Sequence, residues 1–213
     1  LLYMNYDSVP LRDFKELNDW ETVIFVYQSA LKQVETKIDI LNGEFQHRHK
    51  YNPIEHVKSR IKTPESIVKK LKRHGYESSI ENMVRYVNDI AGIRISCSFT
   101  SDIYLIADMI SKHNDLTILA RRDYTKNPKK SGYRSYHILV TTPVFLSDSI
   151  IDTKVEIQIR TVAQDFWATL EHKMHYKFEG DGPDYITKEL RECARYVAEL
   201  DTRMEEPVSY THL

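Results

Sequence analysis

Thr153-Lys154-Val155-Glu156-Ile157-Gln158-Ile159-Arg160-Thr161 alternates with period two. Val155, Ile157 and Ile159 fall on one side, and Lys154, Glu156, Gln158 and Arg160 on the other. That spacing predicts a β-strand with one face in the core. An ordinary solvated face would show the same alternation, so the run acquires meaning only from what the rest of the chain sets beside it. All four polar residues are functional in type, and Lys154 is the one of them expected to be plain surface.

Gly92-Ile93-Arg94-Ile95-Ser96-Cys97-Ser98-Phe99 alternates in the same way and puts Arg94 opposite the apolar side. Residues 116–122 and 135–142 read as two further strands, with His137 on the face away from Tyr136, Ile138 and Val140. Residues 102–113 return to helical spacing. Pro143 and the Ser147-Asp148-Ser149 tip mark a turn, which makes the last two strands an antiparallel hairpin. Before this region, residues 11–42 have helical spacing, read as two helices broken near Asn18-Asp19. Thr63-Pro64-Glu65 reads as a helix start with its N-cap and first-turn proline, running through Arg73 to Gly75. A short helix is read over Ser79 to Val87. Residues 163–178 and 184–204 close the chain as helices, and Phe166, Trp167, Leu170 and Met174 read as a core stripe. The order is helices, then β-α-β-β-β, then helices. It predicts an α+β fold with a mixed, five-stranded-type sheet flanked by helices at both ends, and one domain over residues 1–213.

The 213 residues are 41% hydrophobic and 29% charged, a composition able to bury a real core. No apolar run nears the roughly 20 residues of a membrane span, so no membrane partner is expected. Two cysteines cannot build a disulfide framework, and a reducing cytoplasm is the expected compartment. The net charge of −1 hides segregation. Residues 57–74 carry seven bases against one acid, and residues 121–134 six against one. Residues 179–206 carry nine acids against four bases. Two basic segments in a nearly neutral protein imply a local anionic ligand, not a general nucleic-acid surface.

The basic loop Asp123 to Tyr133 joins two strands, holds Lys126, Lys129 and Lys130, and ends in Gly132-Tyr133. Lysine supplies point charge for phosphate, a glycine lets backbone approach a ligand, and tyrosine offers a face to a base. Its glycine spacing is not that of a P-loop. Asp89 and Glu156 are acids among bases, the arrangement in which one or two carboxylates share Mg²⁺ with phosphate oxygens. A structural salt bridge explains either acid taken singly. Together they point to metal-assisted phosphoryl or pyrophosphoryl transfer. His172 with His175, and His47 with His49, are weaker candidates for a metal.

Four segments resemble the synthetase domain of RelA/SpoT-type alarmone synthetases, in the form of the stand-alone RelP/RelQ-type small enzymes. They are Ser59 to Ile67, Asp89 to Arg94, Asp123 to His137 and Glu156 to Thr161, within roughly residues 57–177. The resemblance implies a nucleotidyltransferase-like synthetase fold. It implies transfer of pyrophosphate from ATP to the 3′-hydroxyl of GDP or GTP, with GMP a further candidate. Asp89 and Glu156 match the acidic pair implied to hold Mg²⁺ and to be catalytic, Glu156 also activating the 3′-hydroxyl. Arg60 and Arg94 match adenine-clamping arginines, with Lys62, Lys70 and Arg122 beside the ATP phosphates. Tyr133 matches a guanine-stacking ring, with Lys129, Ser131, Arg134, His137 and Gln158 on the guanosine side. Arg160 and Gln158 match supporting positions. Ser131 stands where the long enzymes often have asparagine, which leaves the acceptor preference open. No His-Asp dyad occurs, so synthesis without hydrolysis is expected, and the chain is shorter than the long regulated enzymes. Homotetramers are implied, with the acidic C-terminal helix as a subunit interface. Against this stand a nucleotide- or single-stranded-RNA-binding module, which needs no catalytic acid, and a nucleotidyltransferase, which releases pyrophosphate in place of AMP.

Overall fold

The computed structural model describes residues 19–48, 50–177 and 184–209. Among them are α1 (Trp20–Arg48), β1 (Ile54–Ile61), α2 (Pro64–Arg73), α3 (Ile80–Tyr86), β2 (Ala91–Cys97) and α4 (Thr100–Ser111). There follow β3 (Thr117–Asp123), β4 (Tyr136–Phe145), β5 (Ile150–Thr161), α5 (Val162–Lys177) and α6 (Asp184–Ser209). The five strands form one mixed sheet in the order β1-β2-β5-β4-β3. β2 and β5 run parallel, and every other pair is antiparallel. The α+β class and the five-stranded mixed sheet are as the sequence predicts.

β5 is the middle strand, and its alternation organises the sheet. Val155, Ile157 and Ile159 are fully buried, in one cluster with Ile93, Ile95, Ile138 and Val140. Helix α1 covers this face with Val23, Val26, Ala30, Val34 and Ile38, and α4 adds Ile103, Ile106 and Ile110. Asp19 caps α1, accepting from the Thr22 amide at 2.6 Å. From there α1 is a single helix to Arg48; the earlier half of the expected pair lies outside the described residues. Thr63 and Ser79 cap α2 and α3 by accepting from the Ser66 and Asn82 amides.

Three differences from the sequence reading stand out. First, β1 is a strand that the sequence pattern does not announce. It lies at the sheet edge and exposes most of its side chains, so it carries little hydrophobic period. Second, β4 continues through Pro143, which pairs with Asp152 on β5. The β3 pairing stops at Thr141, so the missing proline N–H deprives no partner there. Third, of the expected stripe on α5 only Trp167 is buried, while Phe166 and Met174 are exposed. Trp167 packs with Ala168 against Ala194 of α6 and donates from Nε1 to the Leu190 carbonyl at 2.8 Å.

Helix α6 also grips the basic loop between β3 and β4. Arg191 Nε donates to the Lys130 carbonyl at 3.0 Å. Gly132 has φ +96°, and a Cβ built there would lie 2.5 Å from the Ala194 Cβ. The glycine is needed for close approach to this helix, a contact that the sequence does not show. Gly132→Ala is therefore expected to cost about 1–3 kcal/mol in denaturant unfolding. Pairing it with Ala194→Gly should recover the steric part of the loss.

Candidate active site

The parallel pairing of β2 with β5 sets Gly92 opposite Glu156 and Arg94 opposite Gln158. Following the register outward gives a continuous row across the sheet: Lys58, Arg94, Gln158, His137 and Arg122, one from each strand. The neighbouring row places Arg60 beside Gly92 and Glu156. These rows lie on the face away from the α1 core, because they alternate with the buried apolar positions. The face is closed by α2 and α3 at one end and by the β3–β4 loop with α5 at the other.

A cleft of about 300 Å³ opens on this face. Its lining includes Arg60, Asp89, Arg94, Glu156 and Gln158, so these five expected site residues come together. Gly92 lies between them and keeps the floor free of a side chain.

Asp89 sits in the turn between α3 and β2. Its two oxygens accept from Lys62 and Lys70, each at 2.7 Å. The Lys62 amide also donates to the Ile90 carbonyl at 2.8 Å, tying the end of β1 to this turn. Burial pushes the Asp89 carboxyl upward, but the two ammonium groups outweigh it and hold it at about 2. The two lysines expected near phosphate thus neutralise the acid expected near metal. Two cations on one carboxylate leave this turn with a net positive charge.

Glu156 accepts from Gln158 Nε2 at 2.8 Å and faces His137 Nδ1 at 3.4 Å. Burial raises its carboxyl, yet His137 and Gln158 outweigh that, leaving it below the ordinary value. It is therefore an anion at neutral pH. His137 Nε2 meets the Tyr133 hydroxyl at 2.9 Å, and the same hydroxyl accepts from Arg160 Nη2 at 2.6 Å. Tyr133 lies under two cations, Lys129 Nζ at 4.7 Å and the Arg160 guanidinium at 5.0 Å from its ring centroid. Burial raises its hydroxyl pKa. Arg134 donates to the Thr125 carbonyl, and Ser131 Oγ accepts from the Tyr133 amide at 3.4 Å. Tyr133, Lys129 and His137 thus form a second group, reached from the cleft through Glu156 and Gln158, with Ser131 at the Tyr133 amide, while Arg134 instead meets the Thr125 carbonyl near Tyr104 and Asp201. Arg122 is exposed on β3 opposite His137.

Lys154 is not surface. It is 2% exposed, and its ammonium donates to the Arg85 carbonyl at 3.2 Å and Asn88 Oδ1 at 2.7 Å. It pins the turn next to Asp89. A strand pattern gave no sign of this, because α3 folds back over the end of β5 only in the tertiary structure. Asp165 was also missed. It binds Arg94 at 3.3 Å and Arg160 at 3.1 Å from the first turn of α5. The signal was present. Thr161 and Gln164 form a capping box, Gln164 N donating to Thr161 Oγ1 at 3.0 Å and Thr161 N to Gln164 Oε1 at 3.4 Å. It marks where the strand becomes a helix and which acid opens that helix.

Among the described residues no cluster of three or more His, Cys, Asp or Glu side chains could hold a metal. His172 is exposed, while His49 and the side chain of His175 lie outside the described residues. Nor is any described helix long and apolar enough to cross a membrane.

Comparison with known proteins agrees with this geometry. The family described as "Region found in RelA / SpoT proteins" matches residues 59–181. The chain belongs to that family. It is 46% identical to GTP pyrophosphokinase YwaC of Bacillus subtilis, over 88% of this chain and 90% of that protein. GTP pyrophosphokinase YjbM of the same organism is 35% identical, over 88% and 87%. Among solved structures, small alarmone synthetase 1 from Bacillus subtilis bound to its product pppGpp superposes with a TM-score of 0.84 at 34% identity, covering 90% of this chain and 97% of that one. Small alarmone synthetase 2 from that organism gives 0.82 at 44% identity, covering 91% and 100%.

The buried Lys154 sets a pH dependence. Burial, with a smaller contribution from Lys70, pushes its ammonium down from 10.5 to about 8. Between those values the unfolded chain holds a proton that the folded chain has released, so stability rises with pH across that window. The cost of burying the charge is fully present below about pH 8 and amounts to about 3 kcal/mol at most. Lys154→Met is expected to abolish this rise in denaturant unfolding followed from about pH 7 to about pH 10. Equal pH slopes in the two proteins would contradict the assignment.

Proposed function

We propose that this protein is a GTP pyrophosphokinase. It transfers the β,γ-pyrophosphoryl group of ATP to the 3′-hydroxyl of GDP or GTP, forming ppGpp or pppGpp and releasing AMP. The observation that carries the reading is the placement of two carboxylates, Asp89 and Glu156, in one cleft with Arg60 and Arg94. The relatives named GTP pyrophosphokinase, and the neighbour bound to pppGpp, support the same chemistry.

The two substrates bring many phosphate charges together, so positioning and electrostatic stabilisation dominate such a reaction. Arg60 and Arg94 take the adenine side, where planar guanidinium groups stack on a base. Lys62 and Lys70, now paired with Asp89, turn to the ATP phosphates, whereas Arg122, expected with them, lies at the far edge of the sheet beside His137. Tyr133 takes guanine on its ring, while Lys129, Ser131, Arg134, His137 and Gln158 hold the guanosine nucleotide. Glu156 accepts the 3′-hydroxyl proton and is oriented for this by Gln158 and His137.

Two carboxylates on one cleft suit Mg²⁺, a hard cation that prefers oxygen ligands. Asp89 and Glu156 would hold it, and when bound it offsets phosphate charge. The chain acts as one synthetase unit in the cytoplasm. Assembly as a homotetramer is supported by the exposed Tyr196, Leu200 and Met204 on α6 and Phe166 on α5.

Incubation with ATP, GDP and Mg²⁺ followed by anion-exchange chromatography tests the reading. AMP and a guanosine nucleotide bearing an added 3′ diphosphate are expected, and absence of both overturns it. Glu156→Gln should fold and bind nucleotide but turn over about 100-fold more slowly or worse. For Tyr133→Ala the expected result is a raised KM for GDP, with that for ATP little changed; an effect on ATP alone would refute the stacking role.

A further inference from the structure

At the start of α5, one carboxylate serves two guanidinium groups from different strands. Asp165 Oδ1 lies 3.3 Å from Arg94 Nη1 on β2 and 3.1 Å from Arg160 Nη1 on β5. The Arg160 side chain is 4% exposed and that of Asp165 16%. Arg94 lines the cleft. Arg160 leads away from it, donating to Gln158 Oε1 at 2.8 Å and to the Tyr133 hydroxyl at 2.6 Å. A continuous path therefore runs from Arg94 through Asp165, Arg160 and Tyr133 to His137 and Glu156.

The charges on this path do not balance locally. Arg160, buried, and Arg94, a third exposed, share one anion, and the Nε atoms of both are buried without a hydrogen-bond partner. Burial and the repulsion of Arg160 both weaken the hold of Arg94 on its proton, although a guanidinium stays charged. Asp165 itself is fixed, because the first turn of a helix favours negative charge and the capping box sets that turn. An anion held in common by two cations binds each less firmly than it would bind one. Release of either cation strengthens its grip on the other.

We propose that Asp165 is a positioning residue that couples the two halves of the active site. When the donor nucleotide draws Arg94 into the cleft, the Asp165 carboxylate passes wholly to Arg160. Arg160 then fixes the Tyr133 hydroxyl, and with it the ring that receives the guanosine nucleotide. Donor binding thereby pre-orders the acceptor site, and by linkage acceptor binding favours the donor equally. The inference rests on the pyrophosphokinase reading for the identity of the two ligands.

Calorimetric titration of the full chain with GDP, with and without α,β-methylene ATP and Mg²⁺, tests it. In the wild type the analogue is expected to tighten GDP binding about tenfold. In Asp165→Asn, which keeps the shape and loses the charge, GDP affinity should be the same with and without the analogue. Arg160→Lys, which keeps the charge and loses the forked geometry, should uncouple the sites in the same way and carries the test if Asp165→Asn does not fold. At saturating ATP, Asp165→Asn should raise KM for GDP more than it lowers kcat, a split that a general loss of folded protein would not produce. The proposal is overturned by normal binding of both nucleotides with no coupling in the wild type, or with full coupling retained in the folded variants. Failure of the wild type to bind either nucleotide overturns the pyrophosphokinase reading itself.

Discussion

The parallel pairing of β2 with β5 is the contact on which the site depends. It brings Gly92 and Arg94 beside Glu156 and Gln158, residues far apart in the chain. A parallel pair needs a crossover between its strands, and here that connection runs through α4, β3 and β4. The same connection delivers β4 to the other side of β5, so His137 arrives opposite Gln158. One strand register thus sets the spacing of Arg60 and Arg94, Glu156 and His137. A slip by one residue would turn Glu156 into the core and expose Ile157, a change the packed apolar face forbids.

The polar face carries a cost that the fold meets by pairing. Lys154 and Arg160 are as buried as core residues. Buried charges are tolerated where hydrogen bonds and opposite charges surround them. Lys154 meets a carbonyl and an amide oxygen, Asp89 meets two lysines, and Arg160 meets Asp165. The bases that would attract polyphosphate are thereby held in place by the acids of the same site. On the proposed reading, each phosphate that enters would compete with a carboxylate already in position.

Much of this was legible in the sequence because the relevant signals are local. Alternation in residues 92–99 and 153–161 reports which side chains share a face, and the buried Ile93, Ile95, Ile157 and Ile159 follow from it. Proline and capping residues mark α2 and α3 in the same local way. The site residues were recognisable by motif, and five of them line one cleft. β1 was not legible, since an edge strand with mostly exposed side chains has no apolar period to show. Gly132 could be seen to need freedom, but not that Ala194 is what crowds it.

Lys154 marks the boundary most clearly. Period two assigns it correctly to the face of Glu156 and Gln158, and nothing in the strand says that this position lies under α3. The sequence by itself determined which residues share a face, where the helices begin, where charge concentrates and which family the motifs resemble. These depend on backbone geometry and on neighbours a few positions away. Only the tertiary structure decided which polar side chains are buried and which acid answers which base. Burial and ion pairing are set by elements that meet across long sequence separations, as Asp165 meets Arg94 and Lys62 meets Asp89.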